Sequence, residues 1–227
     1  MQSRHNHKPE ALIFDLDGTL FQSETLIIPA YERAFERLRA EGLFVGATPD
    51  HTIILTSLGM ILKEIWSRVL PNSTEQARSR MDALFLEEQL ALLQQGQGKL
   101  YPEVKQTLHT LQQSGYRLFI ASNGLEVYVK KVAHQMGIAS HFEAMYSAGQ
   151  YQTKSKVDLV KLLIHHHSIQ SGWMIGDRLS DVEAGHANQL TVIGCAYAGF
   201  GISLEELSAA DKQIQTFATL SEWLTTS

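Results

Sequence analysis

Apolar residues follow two different rhythms along this chain. Ala11–Phe14 is a short apolar run that ends at Asp15-Leu16-Asp17-Gly18-Thr19, where acids and a glycine break it. Such a run predicts a buried strand feeding a tight acidic loop. From about Pro29 to Leu93 the spacing becomes helical. Ala30, Ala34, Phe35 and Leu38 form one stripe, and Ile53, Ile54, Leu58, Ile61, Leu62 and Ile65 a second. Met81, Leu84, Phe85, Glu88 and Leu92 form a third with one polar member. Pro49 and Pro71 fall near the breaks. No strand pattern interrupts this stretch, which reads as an all-helical module of about 70 residues.

After Gly96 and Gly98 strands and helices alternate. Val104, Leu108 and Leu111 predict a helix, and Leu118–Ala121 a strand. Leu125, Val129, Val132, Ala133 and Met136 make a helical face, followed by a weak strand at Ala144–Ser147. Val157, Val160, Leu163 and Ile164 give another helix. Trp173–Ile175 and Val192–Cys195 are strands with a helix over Val182–Ala187 between them. This alternation predicts an α/β fold, a Rossmann-like and mostly parallel sheet covered on both faces. The core is expected from residues 1–21 and 94–227, with 22–93 an inserted all-helical cap.

Composition narrows the class. The 227 residues hold 19 Lys and Arg against 24 Asp and Glu, a formal charge of −5. With 44% hydrophobic and 19% charged residues the chain can build a core, which excludes disorder as its main state. Cys195 is the single cysteine, so a disulfide scaffold and a four-cysteine metal site are excluded. The acidic balance speaks against a nucleic-acid partner and suits a cation held by carboxylates. The start, Met1–Glu10, is polar and lacks the apolar run of a signal peptide, and no apolar stretch approaches the roughly 20 residues of a membrane span. The expectation is a cytoplasmic protein without a membrane partner.

Three loops follow strand candidates and carry reactive groups: Asp15–Thr19, Ser122-Asn123-Gly124, and Gly176-Asp177-Arg178-Leu179-Ser180-Asp181. Lys154-Ser155-Lys156 precedes the helix near Val157. Open parallel sheets bind ligands outside the carboxyl ends of their strands. If the three strands are neighbours, Asp15, Asp17, Asp177 and Asp181 converge. Four carboxylates in one pocket repel unless a cation lies among them, and an all-oxygen donor set suits Mg2+. Such a metal polarises a phosphoryl group and shields a carboxylate nucleophile. If the loop turns after Asp15, Asp17 can bend over a substrate as general acid and base. Gly18 permits the turn, and Thr19 offers a hydroxyl and an amide to phosphate.

Taken singly, each piece has a plainer reading. Asp-Gly makes turns, Ser122 can cap a helix, Asp177 and Asp181 can charge a helix start, and the lysines can be solvated. The ordered combination at strand and helix ends points to chemistry. Elsewhere the side chains of His165-His166-His167 diverge around a helix and cannot easily chelate together. His5 and His7 lie in the polar tail. Cys195, in an apolar strand, reads as buried and inert. Tyr31 and Trp66 are candidates to line the substrate side of the helical module, with core packing the stronger reading for Trp66. Arg178 is either structural or a partner of Asp181.

These motifs resemble the haloacid dehalogenase superfamily, in its phosphatase branch with a helical cap after the first motif. Asp15-Leu16-Asp17-Gly18-Thr19 matches the two-Asp first motif in full, Ser122 the second, and Gly176, Asp177 and Asp181 the fourth. The third is a lysine ahead of a helix. Neither Lys154 nor Lys156 precedes the proline that many relatives have. The apolar residues at +3, +4, +7 and +8 from Lys156 place it just before the first buried turn, which favours Lys156 over Lys154.

The resemblance implies that Asp15 attacks phosphorus and forms an aspartyl-phosphate, with Asp17 as acid and base. Ser122 would bind a phosphoryl oxygen, and Gly18, Thr19, Asn123 and Gly124 would contact the substrate phosphate. Mg2+ would be held by Asp15, Asp177, Asp181 and the backbone carbonyl of Asp17. Lys156 would pair with Asp15 and the phosphate. The implied function is phosphomonoester hydrolysis on a small phosphorylated metabolite, phosphoglycolate phosphatase-like, by a monomer or homodimer. A β-phosphoglucomutase-like phosphomutase and a nucleotidase are the alternatives. From a different class come a phosphate-accepting domain without turnover and an interaction protein. Dehalogenation is disfavoured because Asp17 is present, and a dinucleotide oxidoreductase because no glycine fingerprint follows the first strand. Specificity is expected in cap loops near 22–30, 44–52 and 66–75.

Overall fold

The computed structural model describes residues 8–57, 60, 62–197 and 205–225, without the side chains of 62 and 63. His5, His7, Leu58, Ile61 and the Leu62 side chain lie outside the described residues, as does most of the polar start. Six strands, β1 (Ala11–Phe14), β2 (Arg117–Ser122), β3 (Ala144–Ser147), β4 (Gly172–Gly176), β5 (Thr191–Cys195) and β6 (Lys212–Ile214), form one sheet in the order β3-β2-β1-β4-β5-β6. Every neighbouring pair is parallel. β1 therefore lies between β2 and β4, with Phe14 level with Ile120 on one side and Ile175 on the other.

The strands read as continuous apolar runs because both faces are covered. Leu12, Phe14, Leu118, Ile120 and Ile175 point to one face, where α5 (Val104–Gln113), α6 (Glu126–Gln135) and α10 (Thr219–Thr225) pack. Ala11, Ile13, Phe119, Ala121 and Met174 point to the other, against Leu159, Val160 and Leu163 of α8 (Lys156–His166) and Ala184 of α9 (Leu179–Ala187). The remaining short elements of this half are a 3-10 turn (Ala139–His141) and α7 (Ala148–Tyr151).

Between β1 and β2 the chain forms α1 (Glu24–Ala40), α2 (His51–Leu55), α3 (Leu62–Val69) and α4 (Glu75–Gln94). No helix of the described residues is long and apolar enough to cross a membrane. Three details differ from the periodicity. α1 begins at Glu24, and Pro29 lies inside it. Pro29 has no N–H to give the preceding turn, but burial of Leu26 and Ile27 holds that turn in place. The second stripe is divided between α2 and α3. In α4 the polar residue on the buried face is Gln89, not Glu88. Glu88 instead faces α1, where it accepts from Arg37 at 2.8 Å. β6 is an additional strand: its three residues, two of them exposed, carry no apolar alternation.

Helix α9 lies unusually close to the sheet, and Gly185 is the reason. A Cβ there would stand 2.4 Å from Val192 Cγ2 and 3.1 Å from Met174 Cβ. Val192 is branched and cannot swing clear. Gly185→Ala is expected to lower unfolding stability by about 1–3 kcal/mol, measured by urea melts. An unchanged or higher midpoint would contradict this contact.

Candidate active site

The parallel order brings the ends of β1, β2 and β4 to one rim, and the acidic loops with them. Asp15 continues the ladder by one residue, its N–H donating to the Ile175 carbonyl at 2.9 Å. Lys156 opens α8, whose N-cap Ser155 accepts from the Asp158 N–H at 3.1 Å. Its Nζ lies 2.6 Å from Asp15 Oδ1 and 2.5 Å from Asp181 Oδ1. Lys156 is buried, whereas Lys154 is exposed and outside the cluster. The other oxygen of Asp181 accepts from the backbone N–H groups of Asp177 (3.1 Å) and Arg178 (3.0 Å), which fixes the turn from β4 into α9.

Two glycines make room for this. A Cβ on Gly176 would lie 2.1 Å from Asp181 Cγ. Gly18 has φ +81°, and a Cβ there would lie 2.2 Å from Asp177 Oδ2. That conformation and that proximity both require glycine. The Thr19 hydroxyl donates to Asp177 Oδ1 at 3.1 Å, and Tyr197 donates to the Thr19 carbonyl at 2.6 Å. Gly18 and Thr19 thus support Asp177, and neither lines the cavity that holds Asp15 and Asp17. The Thr19 side chain is fully buried and its hydroxyl is engaged by Asp177.

Asp15, Asp17, Ser122, Asn123, Gly124 and Lys156 share one cavity with residues of the inserted helices. Ser122 Oγ accepts from the Gly124 N–H at 3.1 Å, so the second loop turns back across the mouth of β2. Asp17 is held apart from the other acids. One of its oxygens accepts from Ser23 Oγ at 2.5 Å and from the Tyr128 hydroxyl at 2.7 Å. Ser23 and Tyr128 were not legible as site residues. Ser23 precedes α1 by one position, and Tyr128 falls within the buried face of α6, so both look structural in sequence.

Single ligand oxygens of Asp15, Asp177 and Asp181 all lie within 4.8 Å of one another, and all three residues are buried. The Asp17 side chain is outside this set, which leaves only its backbone carbonyl for the metal role expected of it. The donor set is hard and anionic. Three buried carboxylates face Lys156 and, at 3.4 Å from Asp177, the Arg178 guanidinium. A divalent cation of the Mg2+ type fits both the donor chemistry and the excess negative charge. Titration reflects the same excess. Burial, opposed by Lys156, pushes the Asp15 carboxyl up to about 7. Burial and the charges of Asp15 and Asp181 raise Asp177. Burial also raises Asp17, although the Ser23 and Tyr128 hydroxyls pull it back. For Lys156 burial works against the charge, but the two carboxylates prevail and hold the ammonium above its ordinary range.

Other candidates fall elsewhere. The Arg178 side chain pairs with Asp177 at 3.4 Å and with Glu206 at 3.8 Å, and donates to the Leu55 carbonyl of α2 at 3.2 Å. Tyr31 is fully buried on Phe35, and Trp66 packs on Phe85 and donates to Asp82 at 2.8 Å. Neither lines the cavity, because both complete the interior of the helical insertion. His166 meets the Tyr146 hydroxyl and His167 meets Glu143, so the triplet has no common target. Cys195 is buried, and burial raises its thiol.

A carboxylate at the end of the first strand, a second two residues on, a paired lysine and a three-acid cation site beneath one cavity define a phosphoryl-transfer enzyme. Residues 12–195 match the family described as haloacid dehalogenase-like hydrolase, and the chain belongs to that family. It is 27% identical over 178 residues to a phosphoglycolate phosphatase of Aquifex aeolicus (strain VF5), covering 77% of this chain and 78% of the relative. A 5'-nucleotidase of Pseudomonas aeruginosa is 25% identical over 201 residues, 87% of this chain and 86% of the relative. Among solved structures, a predicted phosphoglycolate phosphatase from Haemophilus somnus 129pt superposes with a TM-score of 0.80 at 21% identity, covering 96% of this chain and 99% of that one. The chain is a phosphatase of this family, acting through an aspartyl-phosphate on a small metabolite.

The raised carboxyls set a pH dependence. A carboxyl whose folded pKa exceeds its unfolded value binds more protons folded than unfolded, so its contribution is present at low pH and lost as pH rises. For Asp15 the window runs from 3.8 to about 7. In EDTA, the thermal midpoint is expected to be lower near pH 8 than near pH 5, and Mg2+ to raise it more near pH 8. An equal Mg2+ effect at both pH values would contradict the reading of the cluster.

Proposed function

We propose that the chain is a Mg2+-dependent phosphomonoesterase in which Asp15 is the nucleophile and Asp17 the acid and base. The observation that carries this is the Lys156 ammonium bridging Asp15 and Asp181, with Asp177 beside them, where Lys156 and Asp15 line a cavity that also holds Asp17. Mg2+ bound by Asp15, Asp177, Asp181 and the Asp17 carbonyl would polarise the phosphoryl group and shield Asp15 from its charge.

The residues then divide the work. An Asp15 oxygen forms a bond to phosphorus as the ester P–O bond breaks, and Asp17 gives its proton to the departing oxygen. Burial favours the protonated Asp17 that this step needs, while Ser23 and Tyr128 hold its orientation. Asp17 then takes a proton from water, which attacks phosphorus and releases phosphate and free Asp15. The Ser122 hydroxyl and the backbone amide of Asn123 bind the phosphoryl oxygens, with Gly124 holding the Ser122 oxygen in place, and Lys156 offsets their charge. The inserted helices roof the cavity and exclude bulk water. The phosphoglycolate phosphatase and nucleotidase relatives support a small ester as substrate.

Asp15→Asn is expected to lower kcat on p-nitrophenyl phosphate by on the order of 10³-fold or more with unchanged circular dichroism. EDTA should abolish turnover in the unsubstituted enzyme and Mg2+ restore it. Full activity in the variant would end the nucleophile assignment, and activity indifferent to chelation would end the metal assignment.

A further inference from the structure

The cavity has two unlike walls. Its floor is lined by Asp15, Asp17, Ser122, Asn123, Gly124 and Lys156. Its roof is built by Ile27 of α1, Ile54 of α2, Ile65 of α3, and Phe85, Leu86 and Gln89 of α4. Lys156 is the one cation among the described lining residues, and its ammonium is already shared by Asp15 and Asp181. Arg178 does not line the cavity; it is directed to Asp177 and the Leu55 carbonyl.

Gln89 is the exception in the roof. It is 6% exposed, lies on the same helix face as Phe85, Leu92 and Leu93, and lines the cavity. Its amide makes no hydrogen bond to any described residue. The amide is left open to the cavity, which is where a hydrogen-bonding partner can enter.

Resting on the phosphatase reading, we propose that the leaving group is a neutral alcohol, held by apolar contact with this roof and by one hydrogen bond to Gln89. An ester with a second anionic group would place a carboxylate or phosphate against Ile54, Ile65 and Phe85, with no counter-charge among the described lining residues of the roof. Desolvating an unpaired anion is far more costly than desolvating a neutral isostere. The roof thereby selects against phosphoglycolate and against bisphosphates, and a site that hydrogen-bonds its substrate rejects one that cannot reciprocate.

The test uses two esters of equal size that differ in charge, 2-phosphoglycolate and 2-phosphoglycolamide, with the Mg2+-loaded full chain. The amide is expected to show kcat/KM about tenfold higher or more. Gln89→Arg should bring a cation to the roof, raise kcat/KM for 2-phosphoglycolate about tenfold and reverse the preference. Gln89→Leu, close in volume, should raise KM for the amide severalfold. Equal or better use of 2-phosphoglycolate by the unsubstituted enzyme, or a KM unmoved in Gln89→Leu, overturns the inference and leaves the phosphatase reading intact. Phosphate release from neither ester, nor from p-nitrophenyl phosphate, overturns the phosphatase reading itself.

Discussion

One ammonium group organises the reactive rim. Lys156 Nζ touches carboxylates from two different loops, Asp15 after β1 and Asp181 at the start of α9, and all three groups are buried. Ionised groups removed from water are stable only when paired at close range and supplied with further hydrogen bonds. The structure meets both conditions. Asp181 takes two backbone N–H groups on its other oxygen, and α8 is capped by Ser155 so that its first residue faces the rim. Two glycines make room for these acids, since a Cβ at Gly18 would lie 2.2 Å from Asp177 Oδ2 and one at Gly176 2.1 Å from Asp181 Cγ.

The same electrostatics separates the two carboxylates of the first loop. Asp15 faces Lys156 and the other acids, whereas Asp17 turns away to the hydroxyls of Ser23 and Tyr128. Two residues apart in sequence, they meet different environments: one ion-paired within an anionic cluster, the other half-buried and hydrogen-bonded to neutral donors. That division is what a nucleophile and a proton carrier require. The inserted helices contribute no charge of their own to the described cavity lining, so they shape the leaving-group side by exclusion and by Gln89.

Much of this was legible in the sequence, and the reasons differ by residue. Three of the strands, β1, β2 and β4, end in reactive polar loops, and strand-helix alternation implies parallel neighbours, so the convergence of Asp15, Ser122 and Asp177 followed from pattern. Lys156 could be told from Lys154 because the buried face of α8 is counted from it. What escaped was set by tertiary contact. The Thr19 hydroxyl meets Asp177, a contact nothing in the local sequence announces. Glu88 and Gln89 are adjacent polar residues, and only the approach of α1, with Arg37, decides which one turns to that helix. Tyr128 and Ser23 carry no local sign of their bond to Asp17. β6, three residues long and mostly exposed, has too little apolar content to register.

The account stands on the claim that Asp15, Asp177 and Asp181 share one divalent ion. Anomalous scattering from crystals soaked with Mn2+ measures this directly. A single strong peak bonded to oxygens of all three residues is the predicted result. A peak elsewhere, or none between Asp15 and Asp177 at saturating Mn2+, would contradict it.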